Sequence, residues 1–424
     1  MRTYQTLLLP VILGALWLTG CQNEDRVVQR PEKILSMREV VYGKQTYTRL
    51  ASLWGQYYRA YPSEDAYANW MYAARYAGAP DYASLLETGI GRYPANPTLL
   101  YLKAMVHHGG PDNIEALTLL ERAVDLDPSY VDPWYGLVIH YLERGEEEKM
   151  NLALRRILEA GAVADEVMDF SYNVLACLDS NAILVTNGDN DTYPVWILTH
   201  ILGYRADVRV VNRPLLNTEW YPLSLLKEGI PTLITAGSLD SLRTTIIRNL
   251  KESKGSVPSG GPFSDVLIER LIEACRNAGR PVYFAATLQH TGVVKRLHES
   301  GRQLGLVTLV TPPVESDRNQ MRRAVTTWLK DFRTGGIDGW GIRHAKETKA
   351  GRMIALNYGA ALHSQMDRIL KHAGDHRLGL FRWYRDHLLA IVPVEERPDM
   401  NRMWCRSDDI GEISEWCRKM NLLK

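Results

Sequence analysis

Three prolines divide the first part of the chain into units of nearly equal length. Pro62, Pro94 and Pro128 are separated by 32 and 34 residues, and each closes a segment with helical spacing of apolar residues. This is close to the period of about 34 residues in tetratricopeptide repeats, where each helix-turn-helix buries its apolar face against the next unit. The spacing therefore predicts about three helical hairpins within residues 37–165, with a concave surface for a protein or glycan-bearing partner.

The unit at 96–128 matches the repeat pattern best. Ala116, Leu120, Ala123 and Pro128 occupy its small, large, small and terminal-proline positions. The preceding unit is rich in aromatic side chains, namely Trp54, Tyr57, Tyr58, Tyr61, Tyr67, Trp70, Tyr72 and Tyr76. We expect these rings to pack between neighbouring hairpins rather than to line a ligand groove.

The hydrophobic period changes near residue 180. An apolar run at 182–186 has the length of a short strand, a helical face follows at 195–202, and a second strand follows at 208–211. A strand-helix-strand unit predicts a parallel pair of strands joined by a right-handed crossover.

Two further strands are predicted at 281–288 and 306–312, with a helical segment at 293–305 between them. Strands that alternate with helices are typical of a parallel sheet covered by helices. Residues 166–315 are therefore predicted to form a small α/β domain with a parallel sheet. The helical patterns of residues 316–424 predict a C-terminal helical region, so the fold class is α/β combined with all-α repeats.

The N-terminus has the features of a bacterial lipoprotein signal peptide. Its apolar run is shorter than the roughly 20 residues that span a bilayer, but it suits the hydrophobic region of a secretory signal. The run ends in Leu-Thr-Gly-Cys, which resembles a lipobox and implies acylation of Cys21. Because Gln22 rather than aspartate follows Cys21, the inner-membrane retention signal is absent. We expect a signal peptide at 1–20, a polar tether at 21–36 and a lipid anchor on the outer membrane of the cell envelope, facing the periplasm or the outside.

The charge and the cysteines limit the partners and the compartment. The formal net charge of +1 at pH 7 lacks the basic excess that binds nucleic acid. An exported chain meets an oxidising compartment, so Cys405 and Cys417, twelve residues apart, are candidates for a disulfide. Cys177 and Cys275 lie in apolar helical patterns and are expected to be buried thiols. No Cys or His spacing indicates a structural metal site.

A dense polar turn follows the first predicted strand. Its polar side chains are Asn187, Asp189, Asn190, Asp191 and Thr192. Ligands of open parallel sheets bind at the carboxyl ends of the strands. Asn212 and Arg213 follow the second strand and His290 follows the third, so we expect them to converge with the turn at one edge of the sheet.

Three interpretations of the turn remain open, and an ordinary corner is favoured over a binding site or a catalytic site. As a corner, Asp191 or Thr192 caps the following helix by accepting amide protons of its first turn. As a binding site, the turn holds a polar ligand or a divalent cation, with Asp189 and Asp191 as metal ligands. Asp189-Asn190-Asp191 also has the Asp-x-Asp form found in nucleotide-sugar transferases, although two aspartates with this spacing are common by chance.

A longer motif carries a family resemblance. The segments at 186–194, 207–212 and 215–221 read TNGDNDTYP, DVRVVN and LLNTEWY. They resemble the soluble C-terminal domain of glycosyltransferase-like bacterial membrane proteins of unknown function, which are related to protein O-mannosyltransferases and also carry tetratricopeptide-like helices. The resemblance covers residues 180–313. It implies the soluble domain and its helices, but not glycosyl transfer, because the family's membrane-embedded transferase part has no counterpart in the apolar pattern of this chain.

Two functions are compatible with these features. The first is a lipid-anchored scaffold or binding protein without catalytic activity, acting in envelope glycan or protein assembly through its helical repeats. The alternative is a divalent-cation-dependent enzyme acting on glycans or nucleotide-sugars. In that case Asp189 and Asp191 hold the cation, and Arg213 or His290 contacts the substrate.

Overall fold

The computed structural model describes residues 28–37, 42–106, 114–231, 234–253, 262–313, 315–338, 349–392, 394–395, 397–405 and 411–422. The predicted signal peptide and Cys21 lie outside these residues. Helical repeats come first, a small sheet flanked by helices lies in the middle, and further helices follow, which confirms the predicted fold class. Within the described residues, no helix has both the length and the apolar character that a membrane span requires.

Seven helices are described in the repeat region, outside its gaps at 38–41 and 107–113. They are α1 Lys44–Ala60, α2 Glu64–Ala77, α3 Tyr82–Arg92, α4 Pro97–Ala104, α5 Ile114–Leu126, α6 Asp132–Arg144 and α7 Glu147–Glu159. Within this set α1 packs against α2, α4 against α5 and α6 against α7. Ser63 caps α2 and Asn96 caps α4, because each side chain accepts an amide proton from the first turn. Trp54 and Leu137 are fully buried between the hairpins, as expected for repeat packing.

The sheet has five strands in the order β2-β1-β3-β5-β4. They are β1 Ile183–Thr186, β2 Arg209–Asn212, β3 Val282–Ala285, β4 Arg302–Leu304 and β5 Val307–Leu309. β1 is an interior strand and runs parallel to both β2 and β3, with Thr186 opposite Asn212 at the carboxyl edge. Every residue of β1 is buried because helices cover both faces.

The sheet is mixed rather than parallel, which corrects the prediction. β5 pairs antiparallel with β3 on one side and with β4 on the other. The helix predicted to reach residue 305 ends at Ser300, and the residues after it form β4. Gly305 has φ +65°, a conformation that favours glycine and permits the tight turn into β5. The chain therefore returns through a hairpin instead of a helical crossover.

Six helices belong to the middle of the chain. They are α8 Asp165–Ala176, α9 Asp189–Trp196, α10 Tyr221–Ser224, α11 Ala236–Ser253, α12 Pro262–Asn277 and α13 Gly292–Ser300. α9 continues into a π-helical turn, Ile197–Ile201. The short segment Pro214–Asn217 after β2 is a 3-10 turn.

The C-terminal region contains six further helices among the described residues. They are α14 Asp317–Asp331, α15 Lys349–Ser364, α16 Met366–His372, α17 His376–Trp383, α18 Arg397–Arg402 and α19 Glu412–Lys419. The side-chain amide of Asn173 on α8 donates to the hydroxyl of Tyr358 on α15 (2.7 Å), which ties this region to the middle of the chain. A disulfide joins Cys405 to Cys417, the pair selected from the sequence.

Candidate functional site

Asp191 forms the centre of the polar turn. It is the third residue of α9 and is 7% exposed. Its two carboxylate oxygens accept the backbone amides of Asn187 (2.8 Å) and Gly188 (2.8 Å), and one of them also accepts the hydroxyl of Thr287 (2.5 Å). Burial raises the pKa of Asp191 above its usual value, although these donors act in the opposite direction. The carboxylate therefore accepts the backbone amides of the turn between β1 and α9, and it also bonds to the loop after β3.

Thr192 and Asn212 belong to a second buried network at the same edge. The hydroxyls of Thr186 and Thr192 lie 2.7 Å apart, and the amide of Asn212 donates to Thr192 (3.0 Å). The amide oxygen of Asn212 in turn accepts the backbone amide of Leu215 (3.0 Å). These contacts join the carboxyl ends of β1 and β2 to the first turn of α9.

Arg213, which follows β2, is a buried cation at the same edge of the sheet. Its side chain is 2% exposed and forms an ion pair with Asp265 of α12 (3.0 Å). The same guanidinium donates to the backbone oxygen of Gln289 (3.0 Å) and to the hydroxyl of Thr291 (3.1 Å). Arg213 therefore fastens the loop after β3 to α12, in contact with protein groups rather than with an open cavity.

The remaining predicted residues lie at the outer surface of the edge. Asn187 accepts the backbone amide of Gln289 (3.2 Å), whereas Asp189 and Asn190 are exposed. His290 stacks on His298, with ring centroids 3.7 Å apart, and desolvation lowers its pKa. In the part of the chain that the structure describes, no three metal-ligating side chains cluster. The structure therefore brings Asp191 to the loop after β3 and Asn212 to Thr192, whereas Asp189 and Asn190 are exposed and His290 packs on His298.

A larger opening lies in the repeats. A groove of about 650 Å³ crosses α2, α4 and α6. The charged side chains that the repeats contribute to its lining are all acidic, namely Glu64, Asp65, Asp127 and Asp132. Asp132 is 1% exposed and accepts the hydroxyls of Tyr72 (3.0 Å) and Tyr130 (3.3 Å). Burial, together with the negative charge of Asp132, raises the pKa of both tyrosines.

Residues 28–37 lie against this groove. The backbone amide of Ile34 donates to the side-chain oxygen of Asn69 (3.2 Å), and that of Met37 donates to the hydroxyl of Tyr72 (2.9 Å). Ser36 donates to Asp132. Within the segment predicted as a tether, 21–36, residues 30–36 therefore contact the repeats through Arg30, Glu32, Ile34 and Ser36, and residues 21–27 lie outside the described residues.

Sequence reasoning missed this groove. It assigned the aromatics of α1 and α2 to packing, which is correct for Trp54, but Tyr72 also forms part of the groove wall. Two signals were available in the sequence. Asn69 and Asp132 are polar residues on the apolar faces of their helices, and a buried polar residue requires a partner.

Comparison with known proteins gives one partial match. The family model described as TMEM260-associated domain 2 matches residues 167–228, which run from α8 through β1, the polar turn, α9 and β2. No curated protein matches the chain. The matched residues overlap the segment that resembles the soluble domain of O-mannosyltransferase-related membrane proteins. The match supports that relationship at the level of this one domain.

Proposed function

We propose that this protein is a lipid-anchored scaffold of the bacterial cell envelope, which binds a protein partner through its helical repeats and has no catalytic activity of its own. The observation that carries the proposal is the groove across α2, α4 and α6. Its side chains come from successive repeats, as in other repeat proteins that bind ligands along an extended surface. The α/β domain supports this surface, and its polar edge holds α9 in place.

The closed edge of the sheet favours binding over catalysis. A cation at the turn would need carboxylate oxygens that face an open space. Both oxygens of Asp191 already accept protein donors, and Asp189 is exposed at the start of α9. The alternative, a divalent-cation-dependent enzyme acting on glycans or nucleotide-sugars, would therefore require the corner to open first.

Photocrosslinking from the groove tests the binding function. A photoreactive residue replaces Ser129, which is exposed and lines the groove, in the full chain expressed in its envelope. The matched control replaces Thr118, which is exposed on α5 and does not line the groove. We expect a covalent adduct of one defined mass from position 129 and none from position 118. Adducts that are absent, or equal at both positions, would contradict a binding role for the groove.

The lipid anchor has a separate test. Metabolic labelling with a fatty acid should mark the wild-type chain and should not mark the Cys21→Ser variant. Equal labelling of both chains would remove the anchor from the proposal, while the crosslinking result would still decide the binding function.

A further inference from the structure

Residues 28–37 contact the repeats as a bound peptide would. Within this segment only Ile34 is buried. An element of the repeat core would bury a whole apolar face, whereas a bound extended segment is held by backbone hydrogen bonds and a few side chains. Resting on the proposed function of the repeats, we infer that this face of the repeats binds an extended cationic segment of a partner protein, and that residues 28–37, which form one wall of the groove, hold this place in cis when the partner is absent.

The repeats hold the backbone of the segment with fixed groups. The side-chain amide of Asn69 donates to the backbone oxygen of Asp65 (2.8 Å), which orients its own oxygen towards the amide of Ile34. Tyr72 accepts from Met37 and donates to Asp132. On the other side of the segment, Trp54 donates to the backbone oxygen of Glu32 (3.1 Å). Contacts to the backbone accept many sequences, so they provide affinity without selecting a side chain.

Four side chains of the segment contact the repeats. Arg30 forms an ion pair with Asp65 (2.7 Å), and Glu32 forms one with Arg49 of α1 (2.8 Å), outside the groove lining. Ile34 is 7% exposed, and Ser36 donates to Asp132. The lining contributed by the repeats carries acidic but no basic side chains. The groove therefore fits a segment with a cationic side chain, an apolar residue four positions later and a small hydroxyl residue two positions after that.

The contacts of Arg30 and Ser36 are expected to contribute differently to the affinity of the segment. Arg30 and Asp65 are 61% and 55% exposed, and ion pairs as exposed as this change an affinity by only about twofold to fivefold. Asp132 is buried, and a hydrogen bond to a buried charged group is worth about 10- to 100-fold in affinity. The hydroxyl therefore sets the specificity, and the cationic residue guides the segment into an acidic groove.

Attachment in cis gives the resident segment an advantage. A short connection to α1 creates an effective concentration on the order of millimolar. A partner segment with the same contacts and micromolar affinity would compete poorly against it. The open part of the groove, which Thr98 and Ser129 line, offers a partner contacts that residues 28–37 do not use. A partner segment that makes these additional contacts can therefore displace residues 28–37.

A cleavable version of the mature chain tests this inference. A protease site is inserted between Met37 and Tyr42, so that cleavage turns the resident segment into a free peptide. A labelled synthetic peptide with the sequence of residues 28–37 is the probe, and its binding is followed by fluorescence anisotropy. We expect saturable binding after cleavage, with an apparent affinity about 1,000-fold higher than for the uncleaved chain, because the loss of a millimolar effective concentration removes competition at micromolar affinity.

Peptide variants supply the controls, because they leave the folded chain unchanged. Ser36→Ala in the peptide should weaken binding about 10- to 100-fold, and Arg30→Ala about twofold to fivefold. Leu35→Ala should bind within twofold of the native peptide, because Leu35 is 41% exposed. With Asp132→Asn in the chain, the difference between the native and Ser36→Ala peptides should shrink to less than about fivefold.

Three outcomes would overturn the inference. Equal binding of the native and Ser36→Ala peptides would show that the groove does not select the hydroxyl. If the cleaved segment dissociates only when the helical circular dichroism signal is lost, the segment is a part of the folded core and not a bound peptide. A dimeric mass of the uncleaved chain, with segments exchanged between copies, would assign the groove to a second copy. Crosslinking from position 129 tests the scaffold function separately. If it succeeds while one of these outcomes occurs, the protein still binds a partner, but not through an extended cationic segment.

Discussion

Substitution of Asp191 by alanine separates the structural interpretation of the polar turn from the metal-binding one. The change removes the acceptor of two backbone amides, those of Asn187 and Gly188, and of the hydroxyl of Thr287. It also removes a negative charge from the first turn of α9, where it interacts favourably with the helix dipole. If Asp191 has a structural role in this turn, its removal should lower the free energy of unfolding substantially.

The magnitude follows from the lost partners. Loss of a helix-capping side chain costs about 1 kcal/mol, and leaving a buried donor unsatisfied adds about 1 to 3 kcal/mol. Because Asn187 and Gly188 are only partly buried, water replaces some of the lost acceptor, and we expect about 3 kcal/mol in total. For a cooperative unit of about 150–250 residues this corresponds to a fall in the melting temperature of roughly 6 to 12 °C.

The assay is thermal unfolding of residues 22–424, with and without calcium, magnesium and manganese, and the control is Asp189→Ala. Asp189 is exposed at the start of α9, so its removal should cost less than about 1 kcal/mol, the range of a helix-dipole interaction. A metal site predicts another pattern: cations would raise the melting temperature of the wild type, and both variants would lose that gain alike. That result would refute the structural interpretation of the turn and would favour the cation-dependent enzyme.

Three other perturbations test particular contacts. Arg213→Met should cost about 3 to 5 kcal/mol in urea unfolding because it leaves Asp265 without its buried partner, and Asp265→Asn in the same chain should recover part of that loss; an effect below about 1 kcal/mol would contradict the buried ion pair. Burial raises the pKa of Glu228 to about 7, so its folded carboxyl binds a proton between about pH 4.5 and 7 that the unfolded chain does not bind. Stability should therefore fall by about 2 kcal/mol as pH rises through this window, after allowance for solvent screening, and Glu228→Gln should flatten the slope; an unchanged slope would refute the assignment. Reduction of the Cys405–Cys417 disulfide should lower the stability of the C-terminal region by about 2 to 3 kcal/mol, whereas a Cys405→Ser, Cys417→Ser chain that melts like the oxidised wild type would contradict this.

Much of the architecture could be predicted because its signals are local. Apolar residues with helical period and a regular proline spacing identify the repeats, and the strand-turn-helix at β1 and α9 follows from a change of period. The direction of β5 could not be predicted this way. An apolar strand has the same sequence pattern in parallel and antiparallel pairs, and the deciding feature is the turn at Gly305, which is one residue of a short segment.

The groove was missed for a related reason. Residues 28–37 have no hydrophobic period and bury one side chain, so their sequence is that of a solvated linker. Their conformation depends on partners far along the chain, such as Asn69 and Asp132. The polar character of these two residues indicates that each needs a partner, but a single sequence does not show that the partner lies in residues 28–37. One rule, the common edge of parallel strand ends, places Asn212 beside the polar turn without knowledge of its partners, and in the structure Asn212 donates to Thr192 there.

The polar edge and the groove are connected through α6. The hydroxyl of Tyr193, two residues after Asp191 on α9, donates to the backbone oxygen of Tyr135 (2.8 Å), and the two rings pack edge to face at 4.9 Å. Tyr135 lies in the first turn of α6, the same turn whose first residue is Asp132. The corner that fixes α9 therefore also fixes the position of the buried carboxylate that meets Ser36. We therefore propose a role for the polar turn that requires neither a metal nor a substrate: it holds α9 against α6, the helix that carries Asp132.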